Sequence, residues 1–254
     1  DIRTRVAETR DYIVRRYDLN IYKFSSIIVS IILLFVTIFL VNVCANISSF
    51  WTPTKAYSYP LTDLANDFFN STAYTSAWNT TIDVLLIVYC AFGILCICLN
   101  RLAVFIILKT ITAVIVTYIL RCTTLVVTSL PDSWQMGTRT VTDFYSQFKA
   151  ERGGDLIYSG HTLLVCVFAH VWSSFYMLSD SYVFHVTSAV ISWMYAILIF
   201  IFIVVARTHY TIDVLISIYI TTGVWWSLSY FTTRIFEDPV CKMKFRRSPI
   251  PPMV

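Results

Sequence analysis

Apolar residues along this chain come in long blocks separated by polar ones, a pattern of membrane spans rather than of amphipathic surface helices. No charged residue falls between Lys23 and Lys55. The core of that run, residues 24–44, is long enough to cross about 30 Å of hydrocarbon as a helix. It is too long for a signal-peptide core and lacks a good cleavage signal. Five further spans are predicted at residues 82–99, 102–129, 156–178, 182–206 and 212–233. Asn100-Arg101 and Ser179-Asp180-Ser181 make short returns, and residues 45–81 and 130–155 form hydrophilic loops. The pattern predicts an all-α, polytopic membrane protein with six transmembrane helices. Its parts are an N-terminal segment 1–23, a transmembrane domain 24–233 and a basic, proline-rich tail 234–254.

Composition agrees with this reading. The chain is 57% hydrophobic and 13% charged, with a mean hydropathy of +0.69, where a soluble domain carries about 25% charged residues. Six Lys/Arg residues precede the first span and five follow the last, whereas the first loop holds only Lys55. The positive-inside rule then predicts both termini in the cytosol. Three glycosylation sequons, Asn46-Ile47-Ser48, Asn70-Ser71-Thr72 and Asn79-Thr80-Thr81, point residues 45–81 to the other side. The net charge of +4 forms no stripe for nucleic acid, and no nucleic-acid partner is expected. The cysteines form no CxxC pair. Cys44, Cys90, Cys96, Cys98, Cys122 and Cys166 read as small buried hydrophobes, and Cys241 as a weak palmitoylation candidate.

Against this apolar background a few polar residues stand out. His209 and Asp213 are four residues apart, on one face if a helix begins there. His161 lies 48 residues upstream, a separation of two spans and a turn, so both histidines are predicted at the same non-cytosolic membrane depth. Arg121, near the corresponding end of the third span, falls at a similar depth. Lys109, in the same span, is expected to snorkel towards the Arg101 side. Two histidines and a carboxylate suit a relay of nucleophile and general acid/base. A guanidinium suits a phosphate, and Gly153, Gly154 and Gly160 permit close backbone approach to one. No metal or cofactor is expected, because the chain lacks an acidic cluster for magnesium and a third nearby histidine for zinc. His170 and His185 have no partner motif and read as packing groups or interhelical hydrogen bonders.

These residues resemble the sphingomyelin synthases and related sphingolipid synthases, a transferase branch of the lipid phosphate phosphatase superfamily. Pro60-Leu61-Thr62-Asp63 resembles the first family motif weakly, with Thr62 where proline is usual. Tyr118-Ile119-Leu120-Arg121-Cys122-Thr123-Thr124-Leu125 and Thr128-Ser129-Leu130-Pro131 resemble the second. Gly154-Asp155-Leu156-Ile157-Tyr158-Ser159-Gly160-His161-Thr162 is close to the third, with Gly153 where cysteine is common. His209-Tyr210-Thr211-Ile212-Asp213-Val214, followed by Tyr219-Ile220-Thr221-Thr222 and Trp225-Trp226, is very close to the fourth.

The resemblance covers residues 27–233 and implies transfer of a phosphorylated head group from a phosphatidylcholine-type donor to ceramide, releasing diacylglycerol. It implies His209 as nucleophile assisted by Asp213, and His161 as general acid and then base. Depth and charge add Arg121 as a phosphate contact and Asp155 as its support. Tyr158 and Tyr210, with Trp134, Phe144 and Tyr145, are candidates for caging a quaternary amine. Phosphatidylethanolamine and phosphatidylinositol are the alternative donors, with Asp132, Asp143 and Glu151 as candidates for binding an ethanolamine head group. The expected partners are membrane lipids, and a homodimer is left open. The expected location is the Golgi or plasma membrane with a lumenal or exoplasmic site. Two alternatives remain. A lipid phosphate phosphatase would favour arginine at Ile203 and proline at Tyr158. A non-enzymatic scramblase or channel would spread its charges through the membrane depth.

Overall fold

The computed structural model describes residues 16, 20–51, 61–69, 76–131 and 157–236. Among these the chain is all-α: α1 (Ile21–Phe50), α2 (Leu64–Phe69), α3 (Ser76–Leu99), α4 (Ala103–Val127), α5 (Gly160–Ser174), α6 (Tyr182–Val205) and α7 (Thr211–Phe236). Five of them, α1, α3, α4, α6 and α7, are long and apolar enough to cross a membrane. The protein is a polytopic membrane protein.

The predicted fourth span behaves differently from the others. Its helix α5 has only 15 residues, about 22 Å of rise, and is enclosed by α3, α4, α6 and α7. Leu163, Val165, Cys166, Val167, Ala169 and Val171 are all fully buried. A helix that meets protein rather than lipid on every face has no need to match the bilayer thickness. The chain after it, residues 175–181, is not helical. Irregular backbone at such a depth is tolerated only where protein satisfies its polar groups. Asn100, in the tight turn between α3 and α4, does this: its Nδ2 donates to the Tyr176 carbonyl at 2.7 Å, while its Oδ1 accepts the Leu102 N–H at 2.8 Å.

Close packing of α3 on α5 depends on Gly93. A Cβ at that position would lie 2.5 Å from Phe168 Cδ1 and 2.8 Å from Cε1. The Phe168 ring is itself packed edge-on against Tyr89 and has little room to retreat. Gly93→Ala is therefore expected to destabilise the bundle by about 1–3 kcal/mol. Gly223→Ala, where a Cβ meets nothing within 4 Å, is expected to be neutral or stabilising. Thermal unfolding of both variants in one detergent checks the pair, and equal midpoints would refute this account of the α3–α5 contact.

Two expectations about the polar boundary need correction. The first helix runs on to Phe50, so the sequon at Asn46 lies in its last turns and not in a loop. Asn46, Ser48 and Ser49 are buried, and Ser129 Oγ donates to the Ser48 carbonyl at 2.8 Å. This stretch is buried helix and resembles a loop only in composition. The sequon at Asn79 falls in the first turn of α3, and Asn70 lies outside the described residues. Lys109 does not snorkel to the surface: it is buried, with Nζ 4.9 Å from the Trp225 ring centre and 5.4 Å from that of Phe175. Aromatic faces stabilise the cation there in place of water. His170 and His185 pack as expected. His170 Nε2 lies 3.0 Å from Thr222 Oγ1 and its ring stacks on Trp225; His185 stacks on Tyr176.

Candidate active site

The helix directions bring one set of polar residues to a single end of the bundle. His161 stands in the first turn of α5. Ser159 caps that helix by accepting the Thr162 N–H at 3.4 Å. Tyr158 precedes the cap with a φ of 72°, a left-handed conformation that costs a non-glycine residue of order 1 kcal/mol or more. Its ring is fully buried, which holds the turn in place. The second histidine has a similar entrance, because Arg207, two residues before His209, has a φ of 53°.

Each histidine faces a carboxylate. His209 Nδ1 lies 3.9 Å from Asp213 Oδ2, within ion-pair reach but beyond a hydrogen bond. Both are buried, Asp213 completely. The Tyr210 N–H donates to Asp213 Oδ2 at 3.0 Å and fixes the carboxylate, while Oδ1 has no hydrogen-bond partner among the described residues. His161 Nε2 lies 2.9 Å from Asp83 Oδ1, and this pair is more open, with side-chain exposures of 38% and 57%. One pair is thus sealed inside and the other faces out.

Arg121 comes from α4 and lies between these elements. Its side chain is buried, and Nη1 would stand 3.0 Å from a Cβ added at Gly160. The bare backbone of Gly160 therefore makes room for the guanidinium beside His161. Arg121 also acts electrostatically on Asp213 and on the phenols of Tyr118 and Tyr158. Ser217, one turn beyond Asp213, donates to the Ser159 carbonyl at 3.1 Å and ties the cap of α5 to α7. The arrangement joins a buried and an exposed imidazole–carboxylate pair to a cation beside a helix N-terminus, where an anionic phosphate is favoured.

Residues 153–230, which carry both histidines, match the family described as PAP2 superfamily C-terminal. A stretch of 74 residues is 39% identical to Phosphatidylcholine:ceramide cholinephosphotransferase 1 of Caenorhabditis elegans. That match covers 29% of this chain and 15% of the relative's length. Both findings support the resemblance to sphingolipid synthases. They support a lipid phosphotransferase-type function.

Of the residues singled out in the sequence, His161, His209, Asp213 and Arg121 come to one end of the bundle. Tyr158 and Tyr210 are there too, both buried. The Tyr210 hydroxyl donates to the Pro131 carbonyl at 3.0 Å and accepts the Leu61 N–H at 3.0 Å, so it joins loops. Asp155, Gly153 and Gly154 lie outside the described residues, as do Asp132, Trp134, Asp143, Phe144, Tyr145 and Glu151. Sequence reading passed over Asp83. It is the single acid in residues 76–99, and an ionisable residue at the edge of an apolar run is itself a signal. Asp63 stands in the weakest of the four motifs, and no spacing in the sequence connects it to the site. Its carboxylate reaches the start of α7, with Oδ2 accepting the Thr211 N–H and Oδ1 the Thr211 hydroxyl, both at 2.7 Å.

Proposed function

We propose that this protein transfers the phosphorylated head group of a glycerophospholipid, of the phosphatidylcholine type, to ceramide, and that diacylglycerol leaves. The observation that carries the reading is the presence of two imidazole–carboxylate pairs flanking Arg121 at one end of the bundle. Nδ1 of His209 is turned to Asp213, and Nε2 is the nitrogen assigned to attack phosphorus. The bond from phosphorus to the diacylglycerol oxygen breaks, and His161 supplies the proton to that oxygen. In the second half, His161 takes the proton of the ceramide primary hydroxyl. That oxygen attacks phosphorus and the bond to His209 breaks. Asp83 holds the His161 ring, and Arg121 neutralises charge on the phosphoryl oxygens.

The site end faces the lumen or exterior, because the basic segments at residues 1–23 and 234–254 favour the cytosol; Golgi or plasma membrane as the location rests on the resemblance alone. Choline as the head group rests on the resemblance and on the substrate in the name of the C. elegans relative. The test is a panel of phosphatidylcholine, phosphatidylethanolamine and phosphatidylinositol in proteoliposomes with a labelled ceramide. Mass spectrometry of the products is expected to show the phosphocholine-bearing sphingolipid together with diacylglycerol. Release of a free phosphorylated head group without a ceramide product would instead mean hydrolysis, and no turnover of any donor would sink the reading.

A further inference from the structure

We infer that Asp63 is a positioning residue for His209, acting through Thr211; this rests on the proposed role of His209 as nucleophile. Thr211 is the first residue of α7 and sits between His209 and Asp213. Asp63 holds it at two points, accepting its backbone N–H and its hydroxyl, each at 2.7 Å. Asp63 is buried and is itself braced by the Ala65 N–H, which donates to Oδ1 at 3.0 Å. Two residues earlier, the Leu61 N–H donates to the Tyr210 hydroxyl at 3.0 Å. The short stretch 61–63 thus grips both residues that follow His209, from a point 148 residues away in the chain.

The grip has a physical purpose. The first backbone N–H groups of a helix have no partner within the helix, and a carboxylate there satisfies one and favours the dipole. A residue of α7 itself usually supplies this cap; here the loop before α2 does. The turn that Asp63 closes begins at Arg207 in a left-handed conformation, so it stores strain that something must oppose. Released from Asp63, the turn would relax, and the His209 ring would drift from the line of attack that the reaction needs. Displacements of about 1 Å at such a group cost of order 10²-fold in rate. Asp63 holds residues around the ring and is not assigned to the reacting atoms.

The experiment uses the full chain in proteoliposomes and four variants: Asp63→Ala, Asp63→Asn, Thr211→Val and the Asp63→Ala/Thr211→Val double variant. Asparagine keeps an acceptor for the Thr211 N–H and can donate to its hydroxyl, so it preserves both points of the grip without the charge and gives up only the Ala65 N–H contact. Asp63→Ala is expected to lower kcat about 100-fold with KM for the donor within about threefold. Asp63→Asn is expected to retain activity within about fivefold, and the double variant to lose less than the product of the two single losses. Orthovanadate affinity gives a second readout without lipid turnover, because its trigonal form requires an aligned imidazole. It is expected to fall about tenfold in Asp63→Ala, while inorganic phosphate binding stays within about threefold. An asparagine variant as impaired as the alanine variant would overturn positioning in favour of charge. Wild-type vanadate affinity in Asp63→Ala would overturn it outright, whatever the lipid result. A wild-type chain that binds vanadate but transfers no head group would refute the lipid-transfer reading, and the vanadate comparison would still decide the role of Asp63.

Discussion

Replacing His209 by alanine is expected to lower kcat for head-group transfer by about 10⁴-fold or more, equivalent to about 5.5 kcal/mol of lost barrier stabilisation. Among the described residues, nothing else at this end of the bundle offers a buried imidazole with a carboxylate behind it. The ring is nearly buried, its Nδ1 faces a completely buried Asp213 oxygen at 3.9 Å, and that carboxylate is pinned by the Tyr210 N–H. Asp213 faces Nδ1 of the neutral ring and balances the positive charge that the ring acquires when Nε2 bonds to phosphorus. Asp213→Asn, with the same volume and no charge, is expected to cost about 10²–10³-fold. Because the two act as a unit, the double variant should be no worse than His209→Ala alone. Initial rates with a labelled ceramide check all three. Acid-labile, base-stable label on the wild-type protein after quenching with head-group-labelled donor would mark the phosphohistidine, and it should vanish in His209→Ala. Substantial turnover by His209→Ala would end the proposed relay.

The hydropathy blocks made most of the fold legible, because lipid imposes one rule on every residue that faces it. Helices α1, α3, α4, α6 and α7 all show that signal. What the rule does not reach is the protein interior. Helix α5 is shorter than its apolar run suggests because other helices surround it, and hydropathy cannot tell a lipid neighbour from a leucine. Asn46 and Ser48 read as loop residues because their burial comes from a distant part of the chain, as in the contact of Ser48 with Ser129 just past α4, which local composition does not carry. The histidines were legible for a different reason. The separation of His161 and His209 converts directly into membrane depth, and the i,i+4 step to Asp213 converts into a helical face. Asp83 and Asp63 meet their partners across 78 and 148 residues, with no periodicity to connect them. Their roles follow only from the three-dimensional pairing.

His161→Ala is expected to lower kcat with natural donors by about 10³-fold, and the loss should depend on the leaving group in a way that His209→Ala does not. The alkoxide of diacylglycerol is a poor leaving group and requires a proton as its bond to phosphorus breaks. An aryl ester of phosphocholine, whose phenolate leaves without a proton, should be cleaved by His161→Ala at a first-step rate within about tenfold of wild type. His209→Ala should remain inactive on the same ester, because attack on phosphorus is still required. Asp83 provides an intermediate case. Its carboxylate lies 2.9 Å from His161 Nε2, yet the pair is well exposed, and solvent weakens the charge interaction. Asp83→Asn is therefore expected to cost only about tenfold with natural donors and to be almost silent with the aryl ester. The graded response follows from the geometry. An acid needed to protonate a leaving group becomes dispensable when that group needs no proton, and a residue that only holds the acid becomes dispensable with it. Burst and steady-state rates on the two donor types measure each step. If His161→Ala loses as much activity on the aryl ester as on the lipid, His161 is not the acid for diacylglycerol, and Asp83 then supports some other function of that ring.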